Sequence, residues 1–151
     1  QEHSNVGDIV ISTEVVYQDV DVTAFDYARG QVPGMPAAFQ SDSRLVQIAT
    51  DAVKKLKLPY AKGMVATGDS FMADPDHVAA VKKNFPDLIA AEMEAAAIAQ
   101  VCYQYNVPFV VLRALSDIAG KESSVTFDEF LETAAKNAST IVMEMVKKLG
   151  E

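Results

Sequence analysis

Short β-branched runs alternate with runs of helical period along almost the whole chain, and few folds accept that order. Residues 8–18, DIVISTEVVYQ, are apolar and β-branched enough for a strand. The proline-bearing stretch 19–40 then reads as a long loop. In 42–57 the apolar positions Leu45, Ile48, Ala49, Ala52, Val53 and Leu56 carry helical spacing. A short strand is expected at 62–67, followed by a helix that Asp74 caps with Pro75 at its first position. LIAA at 88–91 reads as a buried strand, the run from Met93 to about Tyr105 as a helix, and FVVLRAL at 109–115 as the strongest strand of all. Thr126 and Glu129 form a capping box at the expected head of a long amphipathic helix reaching about Leu149. The pattern predicts one α/β domain over residues 1–151, with a mostly parallel or mixed central sheet flanked by helices.

Composition removes several classes of function. At 151 residues and 50% hydrophobic content the chain can bury one core. A net charge of −8 without a Lys/Arg cluster argues against nucleic acid and anionic membrane as partners. No apolar run approaches the ~20 residues that span a bilayer, and QEHSNVGD at the start has no leader-like character. The expectation is therefore a soluble, cytoplasmic protein. Because the chain opens without Met, close to a strand, it reads as a piece of something longer. The single cysteine, Cys102, forms no intrachain disulfide and is expected to be a buried small hydrophobe. His3 and His77 lack ligand spacing, so no metal is expected.

In parallel α/β sheets ligands bind outside the carboxyl ends of the strands. The polar residues of this chain collect at those ends: GDSFM at 68–72, EME at 92–94 and SD at 116–117. Asp69, Phe71, Glu92, Glu94, Ser116 and Asp117 are thus expected on one rim. Each also has a plain explanation. Glu94 suits the first turn of a helix through the macrodipole, and Glu92 suits an ion pair with Arg113. Phe71 fits a core, while Asp69 and Asp117 fit turns.

Longer strings carry a resemblance. VGDIVIS (6–12), DVTAF (21–25), ATGDSF (66–71), AEMEAAAIAQ (91–100), NVPFVVLRALSD (106–117) and TFDEFLETAAK (126–136) resemble bacterial 5′-methylthioadenosine/S-adenosylhomocysteine nucleosidases. The likeness covers the later two-thirds of a family member and implies a nucleoside phosphorylase-like fold whose N-terminal strands are missing here. It also implies a cytosolic homodimer that hydrolyses the N-glycosidic bond of a small-molecule substrate without metal or organic cofactor. On the matching positions, Asp117 would protonate or hydrogen-bond N7 of the departing adenine, and Ser116 of the same string would belong to the substrate site. Glu94 would accept from the ribose hydroxyls and Met93 would pack on the sugar. Phe71 would stack on adenine, the main chain of Met72 would read the purine edge, and Phe127 would line the far side. Val22, Phe25 and Pro33 would reach the 5′-alkylthio site of the neighbouring subunit.

Two departures stand in YQDVDVTAFDY, where Gln18 replaces a frequent His and Asp26 a frequent Gly of the family. A larger one is absence: the family's water-activating glutamate and the glycine-rich turn near the ribose precede VGD and have no counterpart in these residues. The expectation is a chain inactive alone. The alternatives are a purine nucleoside phosphorylase, and a non-catalytic purine-binding or dimerisation remnant. Against the former, Arg29, Arg44 and Arg113 are the arginines present and none sits in a glycine-rich cradle.

Overall fold

A bulge in the first strand decides how the layers of this molecule are arranged. The computed structural model describes residues 5–116 and 123–151, the side chains of 123–129 excepted. Strand β1 (Ile9–Tyr17) pairs in parallel with β3 (Tyr60–Thr67), which pairs in parallel with β4 (Leu88–Glu92). The other edge of β1 is shared: β5 (Leu112–Ala114) covers its first half and β2 (Phe39–Gln40) its second, both antiparallel. At the handover the register slips between Ser12 and Glu14. Side-chain alternation therefore shifts by one. Ile9 and Ile11 face one way before the slip and Val16 continues that face after it, whereas Val10 and Val15 share the opposite face.

Each face is covered by the helices whose apolar stripe fits it. Helices α1 (Ser43–Lys55) and α4 (Ser123–Leu149) pack on Ile9 and Ile11 through Ile48, Ala49, Ala52, Val53, Ile141 and Met145. Helix α2 (Pro75–Asn84) extends that layer over Val16, Ala66 and Leu88. Alone on the other face, α3 (Ala95–Gln104) sets Ala95, Ala96 and Ala99 against Val10, Val15 and Val65. Alanines let this helix lie close to the strands, where larger side chains would hold it off. The outer faces of α3 and α4 leave Ile98, Val101, Val142, Met143 and Val146 exposed.

Helix starts follow the expected chemistry in two cases. Asp42 accepts from the Leu45 amide at the head of α1, and Asp74 accepts from Asp76 ahead of Pro75 in α2. Elsewhere the sequence reading needs correction. The run 109–115 is not a long central strand: only Leu112–Ala114 pairs as strand, and it runs antiparallel. Beside it, the Ser12 amide donates to the Val111 carbonyl, and the Ser12 hydroxyl accepts from the Val111 amide at 2.9 Å and bonds Ser41 Oγ at 2.7 Å, where β1 changes partner. Helix α3 starts at Ala95, so Glu94 is its N-cap residue and not part of the first turn. Helix α4 begins at Ser123, three residues before Thr126, which rules out the expected capping-box start. The stretch 19–40 contains a 3-10 turn at Thr23–Phe25 and reaches into β2. Cys102 is only partly buried.

Candidate functional site at the ends of β3 and β4

The parallel strands β3 and β4 end side by side in Thr67 and Glu92, and almost every polar group at this end is engaged. Thr67 Oγ1 donates to Glu92 Oε1 and accepts from the Ala96 amide at 2.8 Å. Glu92 Oε2 accepts from the amides of Glu94 and Ala95 at 2.9 and 2.8 Å. Two strand-end side chains thus satisfy the first amides of α3, which its own N-cap residue leaves without a side-chain acceptor. A carboxylate at this place also meets the positive end of the helix dipole.

Arg113 closes the arrangement. It stands in register with Val10 on β5, three strand pairings from β4. Its guanidinium lies 2.8 Å from Glu92 Oε2. The same nitrogen bonds Glu94. Glu92 is nearly enclosed, with 8% of its side chain exposed, whereas Glu94 has 61% exposed. The two carboxylates that share one arginine therefore differ in role: one is built into the helix start, the other faces outward.

The turn after β3 hangs on its neighbours. The Gly68 amide donates to the Glu92 carbonyl at 3.0 Å, and the Asp69 amide donates to Asp19 at 3.0 Å. Any Cβ on Gly68 would fall 2.2 Å from Gln18 Nε2, so only glycine fits against that carboxamide. Gln18 is 7% exposed, and its Oε1 has no hydrogen-bond partner, a loss worth about 1–3 kcal/mol. From this turn Phe71 projects with 52% of its surface exposed, while Met72 is buried among Val78, Val81 and Phe85. Met93, after β4, is 42% exposed. At the end of β1, the Tyr17 hydroxyl donates to Gln100 at 2.9 Å, and burial, with Asp19 and Asp69 nearby, pushes its pKa above the ordinary value.

The structure thus gathers Asp69, Phe71, Met72, Glu92, Met93 and Glu94 at two neighbouring strand ends. Ser116 follows Leu115, which exchanges main-chain bonds with Gly7 and Asp8 where β1 begins, since β5 runs antiparallel to β1. Asp117 lies outside the described residues, as does the side chain of Phe127. Val22, Phe25 and Pro33 sit in the 3-10 turn and its flanks, with Phe25 exposed; the segment is held by Asp21, which accepts from Thr23 and pairs with Arg29 at 2.9 Å. Thr67 and the reach of Arg113 to Glu94 were missed by sequence reasoning. A threonine ending one strand beside a glutamate ending the next was the available signal. Among the described residues no group of three or more His, Cys, Asp or Glu could hold a metal ion, and no helix is long and apolar enough to cross a membrane.

A site of this kind, with an exposed aromatic face, an exposed thioether and an outward carboxylate, suits a flat heterocycle joined to a polyhydroxylated ring. The chain is 64% identical over 148 residues to the 5′-methylthioadenosine/S-adenosylhomocysteine nucleosidase of Anoxybacillus flavithermus, covering 97% of the chain and 64% of that relative. The chain therefore spans about 64% of the length of a curated relative it matches. The adenine complex of the nucleosidase from Colwellia psychrerythraea superposes with a TM-score of 0.92 at 52% identity, over 96% of this chain and 61% of that one. The Neisseria meningitidis nucleosidase bound to methylthio-immucillin-A gives 0.92 at 48% identity, over 95% and 63%. With a family model described as the phosphorylase superfamily matching residues 1–147, the chain belongs to that superfamily.

Proposed function

We propose that these residues form one domain supplying the purine and sugar side of a nucleosidase site. The reaction is hydrolysis of the N-glycosidic bond of 5′-methylthioadenosine and S-adenosylhomocysteine, releasing adenine. The observation that carries the reading is that outward Glu94, exposed Met93 and exposed Phe71 follow the ends of two adjacent strands. The names of the similar proteins support it, as do the adenine and methylthio-immucillin-A bound in two of them.

In this reading Phe71 stacks on adenine and the Met72 main chain meets its edge. Glu94 accepts from the ribose hydroxyls, with Met93 against the ring. Asp117, protonated, delivers its proton to N7, so that the C1′–N9 bonding pair leaves on a neutral base and not on an anion. The sugar passes through an oxocarbenium-like state that the Glu94 carboxylate favours electrostatically. Water then bonds to C1′ and loses its proton to a base. We assign that base to the part of the family's length that this chain does not span, so the chain alone is expected to be inactive. Ser116 and Phe127 complete the pocket wall. In a cytoplasmic homodimer, Val22, Phe25 and Pro33 meet the partner's alkylthio group. Phosphorolysis is disfavoured because Arg113 is committed to Glu92 and Glu94, and Arg29 to Asp21.

The test is adenine release from methylthioadenosine, with and without phosphate, by the chain alone and after mixing with a separately made N-terminal portion of a relative. Release after mixing, unaffected by phosphate and lost in Asp117→Asn, is the expected result. A folded chain that releases nothing in any mixture would falsify the proposal.

A further inference from the structure

Gln18 is a buried polar residue to which the proposed reaction gives no role. It follows β1 directly, and its amide donates to the Thr67 carbonyl at 2.8 Å, carrying the β1–β3 pairing one residue past the strand. Its side chain then turns onto Gly68. A Cβ there would meet Nε2 at 2.2 Å, Cγ at 2.7 Å and Cδ at 2.8 Å, so the carboxamide and its stem lie flat on the glycine α-carbon. No described group pairs with Oε1, and the side chain is 93% buried, by difference from its 7% exposure.

What it holds is the turn that carries Phe71. Its supports include the Gly68 amide on the Glu92 carbonyl, the Asp69 amide on Asp19, the burial of Met72 among Val78, Val81 and Phe85, and the packing of Gln18 on Gly68. The first two fix the main chain through hydrogen bonds and Met72 anchors the far side of Phe71. Gln18 supplies the packing on the near side, and Phe71 lies only three residues beyond that contact.

From this geometry we infer that Gln18 is a positioning residue: its packing on Gly68 sets the height of the Phe71 ring over which the purine of the proposed substrate stacks. The inference rests on the proposed function for the purine and on geometry alone for the turn. A displacement of the ring by a fraction of its thickness weakens stacking without touching any ligand atom.

Two substitutions separate shape from polarity. Gln18→Ala empties the space beside Gly68, and Gln18→Met refills it with an unbranched apolar chain of similar length. Amide hydrogen exchange and adenine affinity are measured on the full chain for the parent and both variants. In Gln18→Ala, exchange at Gly68 and Asp69 is expected to quicken by about tenfold, with Leu88–Ala90 unchanged, and adenine affinity to fall by a similar factor. Gln18→Met is expected to restore both. Gly68→Ala, which clashes with Gln18 in the parent, is expected to be tolerated in the Gln18→Ala background. Unchanged exchange at Gly68 and Asp69 in Gln18→Ala, or identical behaviour of the Ala and Met variants, would overturn the inference. If exchange responds as expected while adenine binding is absent from the parent or indifferent to the turn, the positioning role stands and the purine reading falls.

Discussion

Thr67 and Glu92 are joined side chain to side chain at the ends of neighbouring parallel strands, and together they satisfy the amides of Glu94, Ala95 and Ala96. The start of α3 is therefore fixed by residues outside the helix. Thr67→Val keeps the shape and removes the hydroxyl, leaving a buried amide and a carboxylate oxygen unpaired. A loss of about 1–3 kcal/mol in urea denaturation is expected, with Thr67→Ser recovering most of it. A valine variant as stable as the parent would show that α3 does not depend on this cap.

Glu92 and Glu94 share Arg113 but are expected to separate cleanly. Glu92→Gln weakens an enclosed pair and a helix cap, and should cost about 1–3 kcal/mol while the folded remainder still binds adenine. Glu94→Gln alters an exposed partner and should shift stability by no more than about 0.5 kcal/mol. It should, however, sharply reduce turnover of methylthioadenosine in the reconstituted enzyme. Denaturation curves and rates on the two variants decide the assignment; a reversal of the two patterns would refute it.

Among the described residues three non-glycines, Asp26, Lys57 and Asn106, occupy left-handed backbone where glycine carries less strain. Lys57, φ 55°, follows α1 and closes it with Lys57 N–H on the Lys54 carbonyl and Leu58 N–H on the Val53 carbonyl. Asp26, φ 62°, ends the 3-10 turn. Lys57→Gly is expected to stabilise by up to about 1 kcal/mol, and Asp26→Gly by less, because aspartate tolerates this conformation better than lysine. Thermal melts of the two variants test the order.

Tyr17 should make stability fall at alkaline pH. Its folded-state pKa is raised, chiefly by burial and then by Asp19 and Asp69, so the protonated phenol is favoured in the folded chain. That contribution is fully present below the unfolded tyrosine value near 10.0 and is lost as pH rises through the higher folded value. Ultraviolet titration should show one tyrosine ionising later than the rest, and Tyr17→Phe should remove both the late step and this part of the alkaline slope.

Where side-chain periodicity reports burial on one face, the sequence read well: the stripe of α1, the cap and Pro75 of α2, and the strand–helix alternation are visible in the residues themselves. The polar character of the ends of β3 and β4 was also legible, since GDSFM and EME break apolar runs with polar residues that a core rejects. Resemblance supplied roles that the residues alone left open, with Phe71 as readily core as platform.

Local pattern fixes which residues can be strand or helix and which faces they bury, because those depend on periods of two and 3.6 residues along one segment. It does not fix direction or partner. FVVLRAL is apolar enough for a central parallel strand, yet only its residues Leu112–Ala114 form strand, and they pair antiparallel with β1. The ion pair of Arg113 with Glu92 was legible, but its reach to Glu94, the packing of Gln18 on Gly68 and the outward turn of Glu94 were decided in three dimensions. A pattern along one segment does not say which side chains of separate segments meet.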